Sequence, residues 1–241
     1  MEKFSLYDFL GLLLPGFIFL FFGKIISKLF CIYPVFLAST NTELNIVIIL
    51  SFSIILGSTL YALNFYLVKK KWYNKTFGMF KNLSELYLNM TYLHDLLNET
   101  LNKRANEWYK KDIFLHKNEF DKLDKTEREK IKELQDEYYS RMYYEIEYHG
   151  KNEFSKAFQS FYFFFRQGAL AYILLLIGLL SLFGLHFIPC LQIYSPAISN
   201  VFALISLLLL LLFISVQLAK WYRKRMVMKM HWAYYTYLNS N

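Results

Sequence analysis

The segments LNIVIILSFSIILGSTLYALNFYLV and GALAYILLLIGLLSLFGLHFIPC run without a single Asp, Glu, Lys or Arg. A bilayer-crossing helix needs about 20 predominantly apolar residues. Amphipathic helices of soluble domains instead place polar residues on one face. Two further stretches meet the membrane requirement, so four spans are predicted, at roughly residues 9–31, 45–68, 167–189 and 199–219. The chain is 56% hydrophobic and 20% aromatic, with the apolar residues bunched rather than periodic. Between the second and third spans lies a long polar segment. The predicted class is therefore all-α: an integral membrane protein with four transmembrane helices and a helical cytoplasmic insert between helices 2 and 3. Residues 1–68 carry helices 1 and 2, residues 69–165 the insert, residues 166–219 helices 3 and 4, and residues 220–241 a basic cytoplasmic tail.

The first apolar run follows a short, nearly uncharged start and precedes no small-x-small cleavage site, so it reads as a retained helix. Basic residues beside spans mark the cytoplasmic side. Lys69, Lys70 and Lys71 follow helix 2, and Lys220, Arg223, Lys224, Arg225 and Lys229 follow helix 4. The loop at 187–198 has no basic residue, and the first loop only Lys24 and Lys28 near the end of helix 1. Both termini and the insert are predicted to face the cytoplasm, across an inner membrane. The net charge of +8 belongs mostly to the tail, because the insert holds 18 Lys and Arg against 16 Asp and Glu. Contact of Lys69, Lys70, Lys71, Arg223, Lys224 and Arg225 with anionic lipid accounts for this excess better than nucleic-acid binding does. Cys31 and Cys190 fall near the outer helix ends, either as a pair or as small apolar interface residues.

The insert reads as helical throughout. TEREKIKELQDEYYSRMYYEIEYHGK opens with a capping box from Thr126 to Glu129 and closes at Gly150. Ile131, Leu134, Tyr138, Met142 and Ile146 form one apolar stripe within it, and Leu83, Leu86, Leu88, Tyr92, Leu96 and Leu97 form another upstream. Residues 110–125 are the predicted exposed loop. Helix 2 is expected to continue past KKKWYNKTF, and NEFSKAFQSFYFFFRQG to lead unbroken into helix 3. Four Asn-x-Ser/Thr triplets, at Asn74, Asn82, Asn89 and Asn98, lie on the cytoplasmic side, where they stay unglycosylated. They follow from a composition rich in Asn, Lys, Ile, Phe and Tyr, which points to an AT-rich bacterial gene.

YDFLGLLLPGFIFL, residues 7 to 20, poses the sharpest local question. Asp8 at the membrane entry suits an N-cap, and Tyr7 suits the interfacial aromatic belt. Pro15 lacks an amide donor and presses on the carbonyl of Gly11, while Gly16 adds freedom, so a kink or break is expected near residues 11–16. Irregular backbone at that depth must be covered by protein or water. Asp8, Gly11, Pro15 and Gly16 form a candidate kink or gate. Arg166 falls at the predicted depth of Asp8, and the two are expected to pair, although a snorkelling Arg166 is the ordinary alternative. On helix 2, Ser53, Gly57 and Asn64 fall on one face and include a small-xxx-small pair, which suits either close packing or a narrow polar path.

Asp, Glu, Lys and Arg are absent from spans two, three and four, and His186 and Gln217 sit near helix ends, which disfavours a coupled transporter. A passive pore gated by dewetting stays open. There is no Walker A loop, dinucleotide fingerprint, HExxH or zinc pattern, so neither enzymatic activity nor a cofactor or metal is expected. Arg225-x5-His231 fits the loose Arg-x(4–6)-His spacing of HEPN ribonucleases, against a basic collar beside the membrane. Tyr138, Tyr139, Tyr143, Tyr144 and Tyr148, with Arg141 and His149, suit either a nucleotide-stacking row or a helix buried between neighbours.

The opening Tyr7-Asp8-x-Leu10-Gly11, followed by Pro15-Gly16, together with the four-span layout and helical insert, resembles small membrane proteins of bacterial antiphage loci. These are the membrane subunit of Kiwa-type systems and the membrane accessory proteins of type VI-B CRISPR loci. The resemblance implies a homo-oligomeric membrane sensor or effector. A cytoplasmic protein partner, a nucleotide or a nucleic acid would signal to the helices and permeabilise the membrane. The reading from another class is a passive channel subunit or scaffold unrelated to defence.

Overall fold

The computed structural model describes residues 9–32, 42–68, 70, 73, 94–151, 153–187 and 196–240, and among them no strand occurs. The helices are α1 (Phe9–Leu29), α2 (Thr42–Val68), α3 (His94–Tyr109), α4 (Lys117–Phe120), α5 (Lys125–Tyr148), α6 (Glu153–His186) and α7 (Ile198–Ser240). Four of them, α1, α2, α6 and α7, are long and apolar enough to cross a membrane. The chain divides into two compact units. Unit 1 comprises Met1–Met79 with Gln159–Tyr222, and unit 2 comprises Phe80–Phe158 with Arg223–Asn241.

Within unit 1, α6 is the enclosed helix. Arg166 to Tyr172 are seven consecutive buried residues, covering every direction around the helix axis. Tyr172, Leu175, Leu176 and Leu179 of α6 pack with Ile26 and Phe30 of α1 and with Val201, Leu204 and Leu208 of α7. The other apolar helices present one covered stripe and one open face. On α2, Ser53, Gly57, Leu60 and Asn64 are buried, while Ile46, Val47, Leu50, Ile54, Ile55, Phe65 and Tyr66 are exposed. An exposed band of Ile, Val, Leu and Phe on such a helix is compatible in composition with contact to lipid tails.

NEFSKAFQSFYFFFRQG does lead unbroken into the third apolar helix, since α6 runs 34 residues from Glu153. Residues 220–240 of the predicted basic tail lie on α7. α7 is one helix of 43 residues, about 65 Å at 1.5 Å per residue, roughly twice a hydrocarbon thickness. Its second half supplies Met226, Val227, Met228, Met230 and Tyr234 to the core of unit 2. Runs of Met, Val and Tyr interleaved with Lys and Arg make this segment amphipathic, so it gains more from packing than from remaining a loose tail.

Unit 2 packs that half of α7 against α3 and α5. Ile131, Tyr138, Met142 and Ile146 are fully buried and Leu134 is half-buried, which reproduces the apolar stripe read along α5. The cap lies elsewhere than expected. Asp124, not Thr126, is the N-cap, its carboxylate accepting from the Glu127 amide at 2.7 Å. A charged acceptor two residues earlier complements the helix N-terminus better than a hydroxyl. At the other end His149 caps the helix and Gly150 takes φ +66°, the left-handed conformation that costs glycine least.

Residues 110–125 are not a plain exposed loop. α3 ends with Lys110 at φ 55°, and the chain then turns Ile113 and Phe114 into the core. Asn102 of α3 accepts from the Phe114 amide at 2.9 Å and donates to the Phe114 carbonyl at 3.0 Å. Gln135 of α5, 3% exposed, donates to the Ile113 carbonyl at 2.7 Å. These side chains satisfy backbone groups that no helix ladder reaches. Replacing Asn102 with Ala is expected to cost about 2–3 kcal/mol, because three bonds are lost, including one accepted from the Ile113 amide at 3.3 Å, and the Phe114 amide is left without its acceptor. Hydrogen exchange should show that amide losing protection ahead of those in α5.

Candidate functional site

Two places in unit 1 depart from plain apolar packing. The first is the start of α1. Phe9–Leu13 form a wide π-helical turn, joined at Leu14 to regular α-helix with Pro15 in its first turn. Proline cannot donate, and its ring crowds the carbonyl four residues back, so the looser ladder accommodates it where an α-turn would clash. Of the expected kink or break near residues 11–16, the structure shows no break: the irregularity is one wide turn, whose π ladder keeps the backbone bonded. Leu10, Gly11, Pro15 and Gly16 are buried.

That turn lies against α2 at backbone contact distance. A Cβ on Gly16 would overlap the Ser53 carbonyl and lie 2.8 Å from the Gly57 amide nitrogen. A Cβ on Gly57 would overlap the Leu12 carbonyl and lie 3.2 Å from the Leu12 Cα. Small residues at such crossings let dispersion and Cα–H···O contacts replace side-chain packing. Ser53 folds its hydroxyl back onto the Ile49 carbonyl at 2.7 Å, so that bond is made within α2 rather than to α1.

The second place is a polar layer at the other end of the α2 stripe. Asn64, fully buried, donates from Nδ2 to the Arg166 carbonyl oxygen on α6 at 2.8 Å. Arg166 is 4% exposed. Its guanidinium carbon lies 4.6 Å from the Phe163 ring centroid and 5.2 Å from that of Tyr162, and Nη1 donates to the Tyr162 hydroxyl at 3.4 Å. Aromatic faces thus stand in for part of the lost hydration. Gln167, completely buried, has no hydrogen-bond partner for either end of its amide among the described residues. Tyr73 lies close by: burial pushes its phenol up to about 12, with the Arg166 charge pulling in the opposite direction.

Ser53, Gly57 and Asn64 thus share one face, used first against α1 and then against α6. Asp8, Lys69, Lys71 and Cys190 lie outside the described residues, as do Leu83, Leu86, Leu88, Tyr92, Asn74, Asn82 and Asn89, and with them the continuation of α2. The expected Asp8–Arg166 pair accordingly has one member here, Arg166. Lys70 is exposed, with its ammonium over the Tyr66 ring at 4.6 Å. Lys224 is half-buried and Arg225 exposed. Arg223 is half-buried, and its charge draws down an Asp136 carboxyl that burial otherwise raises.

In unit 2 the tyrosine row divides. Tyr138 is core, Tyr139 and Tyr143 are half-buried, and Tyr144 and Tyr148 point outward at 71% and 88% exposure. His149 stacks on Tyr237 at 4.7 Å. Arg225 and His231 sit in different environments: His231 is 2% exposed, with Nδ1 held 2.7 Å from the Val227 carbonyl, whereas Arg225 is exposed. Spacing alone overlooked Leu12, Tyr73, Tyr162, Phe163 and Gln167. Only Gln167, a polar residue opening an apolar run beside Arg166, carried a local signal. No protein-family model, curated protein or solved structure matches the chain.

Proposed function

We propose that this chain is a membrane-embedded sensor and effector of a bacterial antiviral defence system. It resides in the inner membrane with both termini and unit 2 in the cytoplasm, and it acts as a homo-oligomer. The observation that carries this reading is the π-helical turn at Phe9–Leu13 resting on the glycine contact with α2. A π-turn can relax to an α-turn by shifting one residue, which rotates the preceding backbone by about 100°. The Leu12 carbonyl would then leave Gly57, and α1 would part from α2. A protein partner or nucleotide signal acting on unit 2 shifts that equilibrium by binding one arrangement more tightly. The parted helices let ions cross and depolarise the cell.

Membrane potential, read by dye fluorescence before and after phage infection, tests the reading. Wild-type cells should depolarise on infection. Cells with Pro15→Ala at equal abundance should be depolarised before infection, because the restored amide favours the ordinary α-turn that parts α1 from α2. A steady potential in both strains would sink the permeabilising role and favour the passive scaffold.

A further inference from the structure

Among the described residues, Arg166 is a buried cation without a counter-ion. No Asp or Glu side chain lies within ion-pair distance of it among the described residues. Glu43 is the one carboxylate residue in the described part of unit 1, and it sits 21 positions from Asn64 along α2, about 30 Å at helical rise. Leaving a guanidinium dry and unpaired is costly enough that such groups recruit an anion or admit water.

The geometry narrows what is recruited. Phe163 and Tyr162 approach the guanidinium, and Nη1 is engaged by the Tyr162 hydroxyl. What is left is Nε and Nη2, both buried and both without a hydrogen-bond partner among the described residues. Those two N–H groups form the fork that takes two oxygens of one oxyanion side by side. Tyr162 lies against the guanidinium and Tyr73 feels its charge, both phenols being 2% exposed. Depth narrows it further. From Gln167 to His186, α6 runs roughly 20 residues, about 30 Å, which matches the hydrocarbon thickness. Arg166 stands just beyond one end of that run, at the level where lipid phosphates lie.

We infer that the Nε–Nη2 edge of Arg166 is a site for a phosphate group, supplied by a phospholipid headgroup or by dissolved phosphate. The site is separate from the α1 turn, and a bound phosphate stabilises the α2–α6 layer by neutralising its only buried charge among the described residues.

Thermal unfolding of the purified full chain in an uncharged detergent tests this. One series adds sodium phosphate, against sodium chloride at matched ionic strength. A second adds short-chain phosphatidylglycerol, against an uncharged short-chain glyceride. Wild-type Tm should rise saturably by several degrees in at least one series, since ligands of the native state stabilise it by mass action. A rise in the first series alone identifies dissolved phosphate, and in the second alone the headgroup. Arg166→Gln should abolish the rise. Arg166→Lys, which keeps the charge and loses the fork, should need at least tenfold more ligand, and this comparison stands even if the Gln variant misfolds. No rise in wild type, or an equal rise in the Lys variant, overturns the site. A rise seen only in Asp8→Asn overturns it in favour of the Asp8 carboxylate as the internal occupant. None of these outcomes depends on depolarisation, so the gating proposal and this site fail separately.

Discussion

Replacing Gly57 with alanine should destabilise the chain, although alanine is the better helix former. The exchange gains about 1 kcal/mol of helix propensity. It also sets a methyl group into the Leu12 carbonyl, which is backbone and cannot rotate away. Overpacking of this kind costs about 1–3 kcal/mol where side chains can adjust, and more where they cannot. We expect a net loss of about 2–3 kcal/mol, read as a lower Tm in detergent. Gly16→Ala, which meets the Ser53 carbonyl, should behave alike. The double variant should lose less than the sum, because one separation of α1 from α2 relieves both clashes. Gly178→Ala is the control: nothing lies within 4 Å of a Cβ there, so stability should hold or rise. Equal effects at Gly57 and Gly178 would refute the close approach.

Tyr138→Ala should be the most damaging change in unit 2. The side chain is wholly buried, with ring centroids of Phe114 at 5.1 Å, Trp108 at 5.2 Å and Tyr234 at 6.2 Å. Removing a buried ring of this size costs about 3–5 kcal/mol. Tyr138→Phe should be neutral or stabilising, for a specific reason. The hydroxyl is buried and has no hydrogen-bond partner among the described residues, and burial raises the phenol pKa. Deleting an unsatisfied buried group removes its desolvation cost. Denaturant unfolding followed by tryptophan fluorescence would separate the two. A Phe variant as damaged as the Ala variant would mean that the hydroxyl, not the ring, holds the core.

The exposed tyrosines show how far pattern reading reaches. On α5 the three- and four-residue spacing placed Ile131, Tyr138, Met142 and Ile146 inside, because a half-buried helix in water must segregate its polar and apolar sides. The same logic has no purchase on α2, which is apolar all round. Its covered stripe of Ser53, Gly57, Leu60 and Asn64 is distinguished by small and polar residues rather than by hydrophobicity, since lipid and protein interior are equally apolar. That stripe was visible in the spacing, but its partners were not. Leu12 and Arg166 become its neighbours only when distant segments meet.

Local chemistry alone thus determined the four apolar helices, the apolar stripe of α5 and the backbone irregularity before Pro15. Each depends on the length of an apolar run, on a periodicity, or on a missing amide, all properties of a few consecutive residues. The tertiary structure decided the rest. It drew the basic tail into the core of unit 2, turned Ile113 and Phe114 inward through Asn102 and Gln135, and enclosed Arg166 between aromatic rings. The environment of a residue is set by segments far from it in sequence, and whether a charge is solvated, paired or enclosed depends on that environment.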